Sequence, residues 1–249
     1  MTHVYDILAP ALGIGNAVAL FLLVIFLVLG PTRKFWVFLL YVSWELFATV
    51  GLTLADLYLK GTVQVDHATR AGKLYAKLYW TNDVIVDLLR FVLVAVLIYK
   101  VAGNSKPFLG RLLGGLVLVM MVLPFLLFQP IYPPAGATIA ADFPRGAWFN
   151  STSQLLNFGA AVMNVILWGA LIQSKKRDPQ ILAISLGLGI LVTGSAIGYG
   201  LRHFVPQGGL TAAFNLFLNL TQFAAWLIWC RAFWPAPKRA LVGSTASSP

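Results

Sequence analysis

Apolar residues run along this chain in blocks of about 20, separated by short polar intervals, and each block is long enough to cross a hydrocarbon core ~30 Å thick as a helix. Barrel strands are shorter and alternate in polarity, so the pattern predicts helices. Seven spans are expected, at about 8–30, 35–58, 77–99, 109–128, 147–172, 180–202 and 211–234. The fold class is therefore all-α, a polytopic bundle occupying 1–234, with a short tail over 235–249 too poor in apolar residues to build a core. Pro31 ends the first span, and the brief Thr32, Arg33, Lys34 link makes spans one and two antiparallel neighbours. Spans five and six are related in the same way. The stretches 60–76 and 129–146 are the longest loops, and neither is large enough to fold alone.

Composition removes the soluble alternatives. The 249 residues are 59% hydrophobic and only 10% charged, with a mean hydropathy of +0.81, far from the soluble average of about a quarter charged. No Lys or Arg precedes the first apolar run, so it reads as a retained span rather than a cleaved signal. Cys230 is the only cysteine, which leaves no internal disulfide and no paired-cysteine metal or redox motif.

A net charge of +10 invites a nucleic-acid reading, but the basic residues fall in short clusters between spans rather than in one stripe. Membrane topology accounts for them instead. One set of alternate loops holds Arg33, Lys34, Lys100, Lys106, Arg111, Lys175, Lys176, Arg177, Arg231, Lys238 and Arg239; the other holds Lys60, Arg70, Lys73, Lys77, Arg145 and Arg202. The excess marks the cytoplasmic side, so the N-terminus is expected outside and the C-terminus inside a bacterial cytoplasmic membrane. The basic inner loops suit anionic lipid headgroups.

Charges at membrane depth carry the functional signal, because each costs about 2.5–3.5 kcal/mol even on an insertion scale. In span two, Glu45, Thr49, Thr53 and Asp56 form one helical stripe; in span three, Asp83, Asp87 and Arg90 do the same. Counted from the cytoplasmic ends at helical rise, Glu45 and Arg90 both lie roughly 13–15 Å deep, which predicts an ion pair between neighbouring helices. Asp87, one turn from Arg90 on the same helix, is the rival partner. One cation cannot neutralise Glu45, Asp83 and Asp87 together, so a proton, a bound cation or a hydrated outer vestibule must supply the balance. Further amides recur as Asn150, Gln154, Asn157 and Asn164 in span five, and as Asn215, Asn219 and Gln222 in span seven. These seams should face protein, either as interhelical hydrogen bonds or as a polar-solute site. Span six is rich in glycine, with Gly194 and Gly198 spaced for close helix approach.

The remaining chemistry is exclusionary. Span seven has no lysine for a retinal Schiff base. His3, His67 and His203 lie in or near loops and offer no facing haem ligands, metal cluster or serine-activating base at membrane depth. No catalytic residue, metal or cofactor is expected.

The run Leu74-Tyr75-Ala76-Lys77-Leu78-Tyr79-Trp80, continuing into Asp87-Leu88-Leu89-Arg90-Phe91, and the late segment from Gln222 to Trp229 resemble a group of uncharacterised acidobacterial seven-helix membrane proteins. The resemblance covers most of the chain and implies a fold, with no activity to carry over. The function expected from the residues is non-enzymatic: ligand sensing, or interaction as a subunit with another membrane protein or a second copy. The alternative is transport of a proton, cation or small polar solute through an interior lined by spans two, three, five and seven.

Overall fold

A computed structural model describes residues 2–30, 34–62, 70–102, 107–127, 143–173, 178–204 and 209–234; some side chains near helix ends, Asp56 and Asn150 among them, and the tail after 234 lie outside the described residues. All regular structure in the described part is helical: α1 (Thr2–Leu29), α2 (Trp36–Thr62), α3 (Arg70–Ala102), α4 (Pro107–Leu127), α5 (Phe143–Gln173), α6 (Pro179–Phe204) and α7 (Gly209–Phe233). Five of these, α1, α2, α5, α6 and α7, are long and apolar enough to cross a membrane. Two are less apolar in that sense. The apolar stretch of α3 is interrupted by the charges of Asp83, Asp87, Arg90 and Lys100, and the apolar part of α4 is the shorter stretch Phe108–Pro124.

The helices extend beyond the apolar runs that announce them. Hydrogen bonding along a helix continues into polar sequence until a breaker intervenes, so α2 reaches Thr62 and α3 starts at Arg70. Most of the stretch expected as a polar loop over 60–76 is consequently helix, and α5 likewise begins at Phe143 within the Pro-rich stretch.

Six helices close a ring in the order α1, α2, α3, α5, α6, α7, and α7 returns to α1. α4 stays outside it, packed on α3 and α5. Chain-order neighbours run antiparallel, whereas α1 and α7, and α3 and α5, lie side by side in the same direction. Gly15 thus meets Phe223, and Cys230 donates to the Ala19 carbonyl at 3.3 Å one turn further on. The end of the bundle where α1 begins is called its N-terminal end below, and the end where α7 finishes its C-terminal end.

Glycine in α6 serves close packing against α7. A methyl group at Gly187 would lie 2.2 Å from Trp229 Nε1, one at Gly194 2.9 Å from Thr221 Oγ1, and one at Gly198 2.6 Å from a Leu218 methyl. The seam is tightest at Gly187, where Trp229 Nε1 donates to the carbonyls of Ala183 and Ile184 at 3.1 and 3.2 Å.

A charged knot closes the C-terminal end. Lys34 pairs with Asp178, and the ammonium of Lys100 donates to the Lys34 carbonyl. Both lysines lie about 5 Å from the buried ring of Phe35, which meets Phe233 edge-on. Asp178 also caps α6, its Oδ1 accepting from Gln180 N at 3.0 Å, with Pro179 at the first helical position where a missing N–H costs nothing. Partial burial would raise the Asp178 pKa, but the hydrogen bonds from Lys34 and the backbone and the attraction of the Lys34 charge outweigh it and hold the carboxyl below its ordinary value.

A group depressed in this way contributes stability that is complete above its unfolded pKa of ~3.9 and disappears as pH falls through the lower folded value. We expect Asp178→Ala to lower stability by about 0.5–2 kcal/mol at pH 6, the range for losing a helix cap. The gap to the parent should narrow below pH ~4. Thermal unfolding in detergent at both pH values measures it, and a gap unchanged at low pH would remove the carboxylate from the account.

Candidate functional site

Arg90 is the hub of the interior. It projects from α3 and is 7% exposed, with Glu45 at 5% and Asp87 at 2%. Its Nη2 donates to Glu45 Oε1 and its Nη1 to Asp87 Oδ1, both at 2.9 Å. The two rival partners anticipated from spacing are therefore both engaged. Tyr41, one turn from Glu45 on α2, accepts from Arg90 Nε at 3.1 Å and donates to Glu45 Oε1 at 3.1 Å. Ser195 of α6 accepts a longer bond from Nη1 at 3.5 Å. Helical periodicity explains the assembly: Tyr41 and Glu45 are four apart, as are Asp83 and Asp87, so each helix presents its polar pair on one face.

Glu45, Asp87, Arg90 and Ser195 form the deep end of a cavity of about 370 Å³, near the lower end of the range for small-molecule sites, roughly 300–1,000 Å³. α3 supplies Tyr79, Asn82, Asp83, Val86, Asp87 and Arg90, and α2 supplies Glu45. α7 contributes Asn215, Leu218, Asn219, Thr221 and Gln222, while α6 contributes Leu191 and Ser195. At the rim, Trp44 of α2 donates to Asn82 Oδ1 at 3.1 Å and braces that wall. The lining residues of α3 and α7 lie in the part of each helix nearer the N-terminal end, so the cavity sits on that side of the bundle and reaches to mid-depth.

Below it the bundle is closed. One helical turn nearer the C-terminal end from Glu45, Arg90, Leu191 and Gln222 lie Tyr41, Val94, Leu188 and Trp226, all 0% exposed. Tyr41 stacks on Trp226 with centroids 6.2 Å apart, and Trp226 meets Trp229 at 5.0 Å. Phe38 packs edge-on against Trp229 and stacks with Phe233. Each of these aromatic contacts adds roughly 0.5–1.5 kcal/mol beyond area burial. The floor is dense and apolar, apart from the Tyr41 hydroxyl and indole nitrogens.

Sequence spacing thus locates Glu45, Asp83, Asp87, Arg90, Asn215, Asn219 and Gln222 around one cavity. Asn157 and Asn164 are elsewhere. Asn164 accepts from Ser185 Oγ at 2.9 Å and donates to the Ser185 carbonyl at 3.2 Å, joining α5 to α6. Asn157 donates to the Ser153 carbonyl of its own helix at 2.9 Å, and both side chains face Asp87 from behind. Here α3 stands between α5 and the cavity, so the interior expected from spans two, three, five and seven is lined by α2, α3, α6 and α7. The Asp56 side chain lies outside the described residues.

Tyr41, Asn82, Ser195 and Thr221 join the site without having been singled out from the sequence. Tyr41 had a readable signal, four residues before Glu45 on the same face. Ser195 had less, as one hydroxyl among glycines on a helix whose composition speaks mainly of packing. Among the described residues, no group of three or more His, Cys, Asp or Glu is placed to hold a metal ion. No protein-family model matches this chain, and neither a curated protein nor a solved structure matches it.

Proposed function

We propose that this chain is a non-enzymatic, ligand-sensing protein of the bacterial cytoplasmic membrane, with seven spanning helices, its N-terminus outside and its C-terminus inside. The observation that carries the reading is a polar cup that ends at mid-depth on Glu45, Asp87 and Arg90 and is floored by Tyr41, Val94, Leu188 and Trp226. A recess of this size, with a few polar groups converging on it and a closed floor, is the form of a small-molecule site. The excess of Lys and Arg at the C-terminal end supports a cytoplasmic location for that end, with the cup on the outward side. The uncommon depth of three charged groups supports a role beyond architecture, since intramembrane charges are costly to keep. Short connections leave the signal to pass through helix packing to lipid, to a partner membrane protein or to a second copy.

Transport of a small polar solute is the second reading, favoured by the mid-depth position of the charges. It requires the aromatic floor to open. Thiol labelling separates the two in a Cys230→Ala background. Asn219→Cys should react with a membrane-impermeant reagent added outside intact cells, and Leu188→Cys should stay unreactive from either side. Labelling of Asn219→Cys from the inside alone overturns the outward cup, whereas labelling of Leu188→Cys from the inside replaces sensing with transport.

A further inference from the structure

The bonding inventory of the cup selects the charge of its ligand. Arg90 has five N–H donors, and four are committed: one to Tyr41, one to Glu45, one to Asp87 and one, more loosely, to Ser195. The Tyr41 hydroxyl proton is directed to Glu45. The strong donors at the bottom of the cup are therefore nearly used up, and the strong acceptors are not. Both bonds to Glu45 fall on Oε1, so among the described residues its Oε2 accepts no hydrogen bond. Asp87 Oδ2 is buried without a hydrogen-bond partner in good geometry and lies on the side that faces Ser153 and Asn157 of α5, so Asp87 offers the cup its charge rather than a free oxygen. Glu45 and Asp87 against Arg90 is also two negative charges to one positive. A surplus carboxylate at this depth calls for a proton or another positive counterpart, because a buried charge without one is among the costliest features a fold can hold.

We propose that the cup binds a small organic cation, a protonated amine whose ammonium group sits against Glu45 and supplies the missing positive charge, while the Asn219 and Gln222 amides take its polar remainder. The proposal rests on the pocket reading given above. An ammonium group brings three donors and no acceptor, the complement of a surface with a spare Glu45 oxygen, a second acid beside it and a guanidinium already engaged. A carboxylate ligand meets the reverse: Glu45, Asp83 and Asp87 repel it, and Arg90 has one uncommitted N–H to offer.

Three solutes of matched length and different charge test it: 4-amino-1-butanol, 1,4-butanediol and 4-hydroxybutyrate, each titrated into the purified protein in lipid nanodiscs at neutral pH. Calorimetry and the unfolding temperature are the readouts. The amine should bind roughly ten- to a hundredfold more tightly than the diol, the ratio for a charge-assisted hydrogen bond, and the acid should be weakest. Asp87→Asn, which removes the surplus charge without changing shape, should weaken the amine at least about tenfold. Asn219→Phe, which fills the cup and leaves the charges untouched, should abolish binding of the amine.

Tighter binding of the acid or diol, or undiminished amine binding by Asp87→Asn, overturns the cation and leaves the pocket standing. Absence of binding by all three, with Asn219→Cys still labelled from outside, likewise overturns the cation alone. Failure of that labelling removes the pocket itself.

Discussion

Arg90→Met is expected to be among the most damaging single substitutions in this protein, costing about 3–5 kcal/mol, the range for stranding a buried charge by removing its partner. The change leaves Glu45 and Asp87, 5% and 2% exposed, facing each other with no cation between them, and deprives the Tyr41 hydroxyl of its donor. Glu45→Gln removes one acid and keeps its shape, so it should cost less. Combining Glu45→Gln with Arg90→Met should recover part of the single-variant loss, because a pair removed together leaves fewer unmatched groups than one broken in half. Reversible unfolding of the four proteins in mixed micelles provides the cycle. Strictly additive losses would mean that the 2.9 Å contact transmits no energy.

The second large effect is steric. Gly187→Ala places a methyl carbon 2.2 Å from Trp229 Nε1 and 2.4 Å from its Cε2, inside any distance that unbonded atoms tolerate. Trp229 has nowhere cheap to go. Its indole is bonded to two α6 carbonyls and wedged between Phe38 and Trp226 with centroids 4.8 and 5.0 Å away. About 2–3 kcal/mol should be lost, the upper part of the usual range for overpacking a closed core. Gly115→Ala is the matched control, on α4 with nothing within 4 Å of the new methyl; it should be neutral or stabilise by up to ~1 kcal/mol through helix propensity. Equal losses at the two positions would refer the effect to the backbone rather than to the α6–α7 seam. Gly187→Ala with Trp229→Leu should lose less than the sum of the two single changes.

Glu45 and Arg90 were recognisable in the sequence because cost and depth are both local properties. A charge in an apolar run is visible one residue at a time, and helical rise converts its distance from the run's end into a depth. α3 shows why that reasoning adds to hydropathy: the polar residues that hold it back from the five apolar helices are the ones that build the cup. What periodicity does not contain is the order in which helices pack. Four amides in span five were as strong an inward signal as three in span seven, yet α5 lies behind α3, and Asn164 is engaged with Ser185 of α6. The α6 wall was correspondingly hard to foresee, since Leu191 and Ser195 have ordinary apolar and small-residue character. The floor was hidden for another reason. Trp226 and Trp229 are individually consistent with a core or an interface, and only the arrangement of four helices puts Tyr41, Val94, Leu188 and Trp226 at one level.

The closing of the ring by α7 against α1 has a consequence for biosynthesis. Chain emerges from the ribosome in order, so an arc from α1 to α6 stands open until the last helix arrives, and the wall bearing Asn215, Asn219 and Gln222 is the final piece laid. The expensive charges do not wait for it: Glu45 lies on α2 and both Asp87 and Arg90 on α3, one antiparallel hairpin. On the proposed seven-span topology the bilayer receives them already matched to one another, with the costliest step of insertion settled two-fifths of the way along the message and the cup completed only at its end.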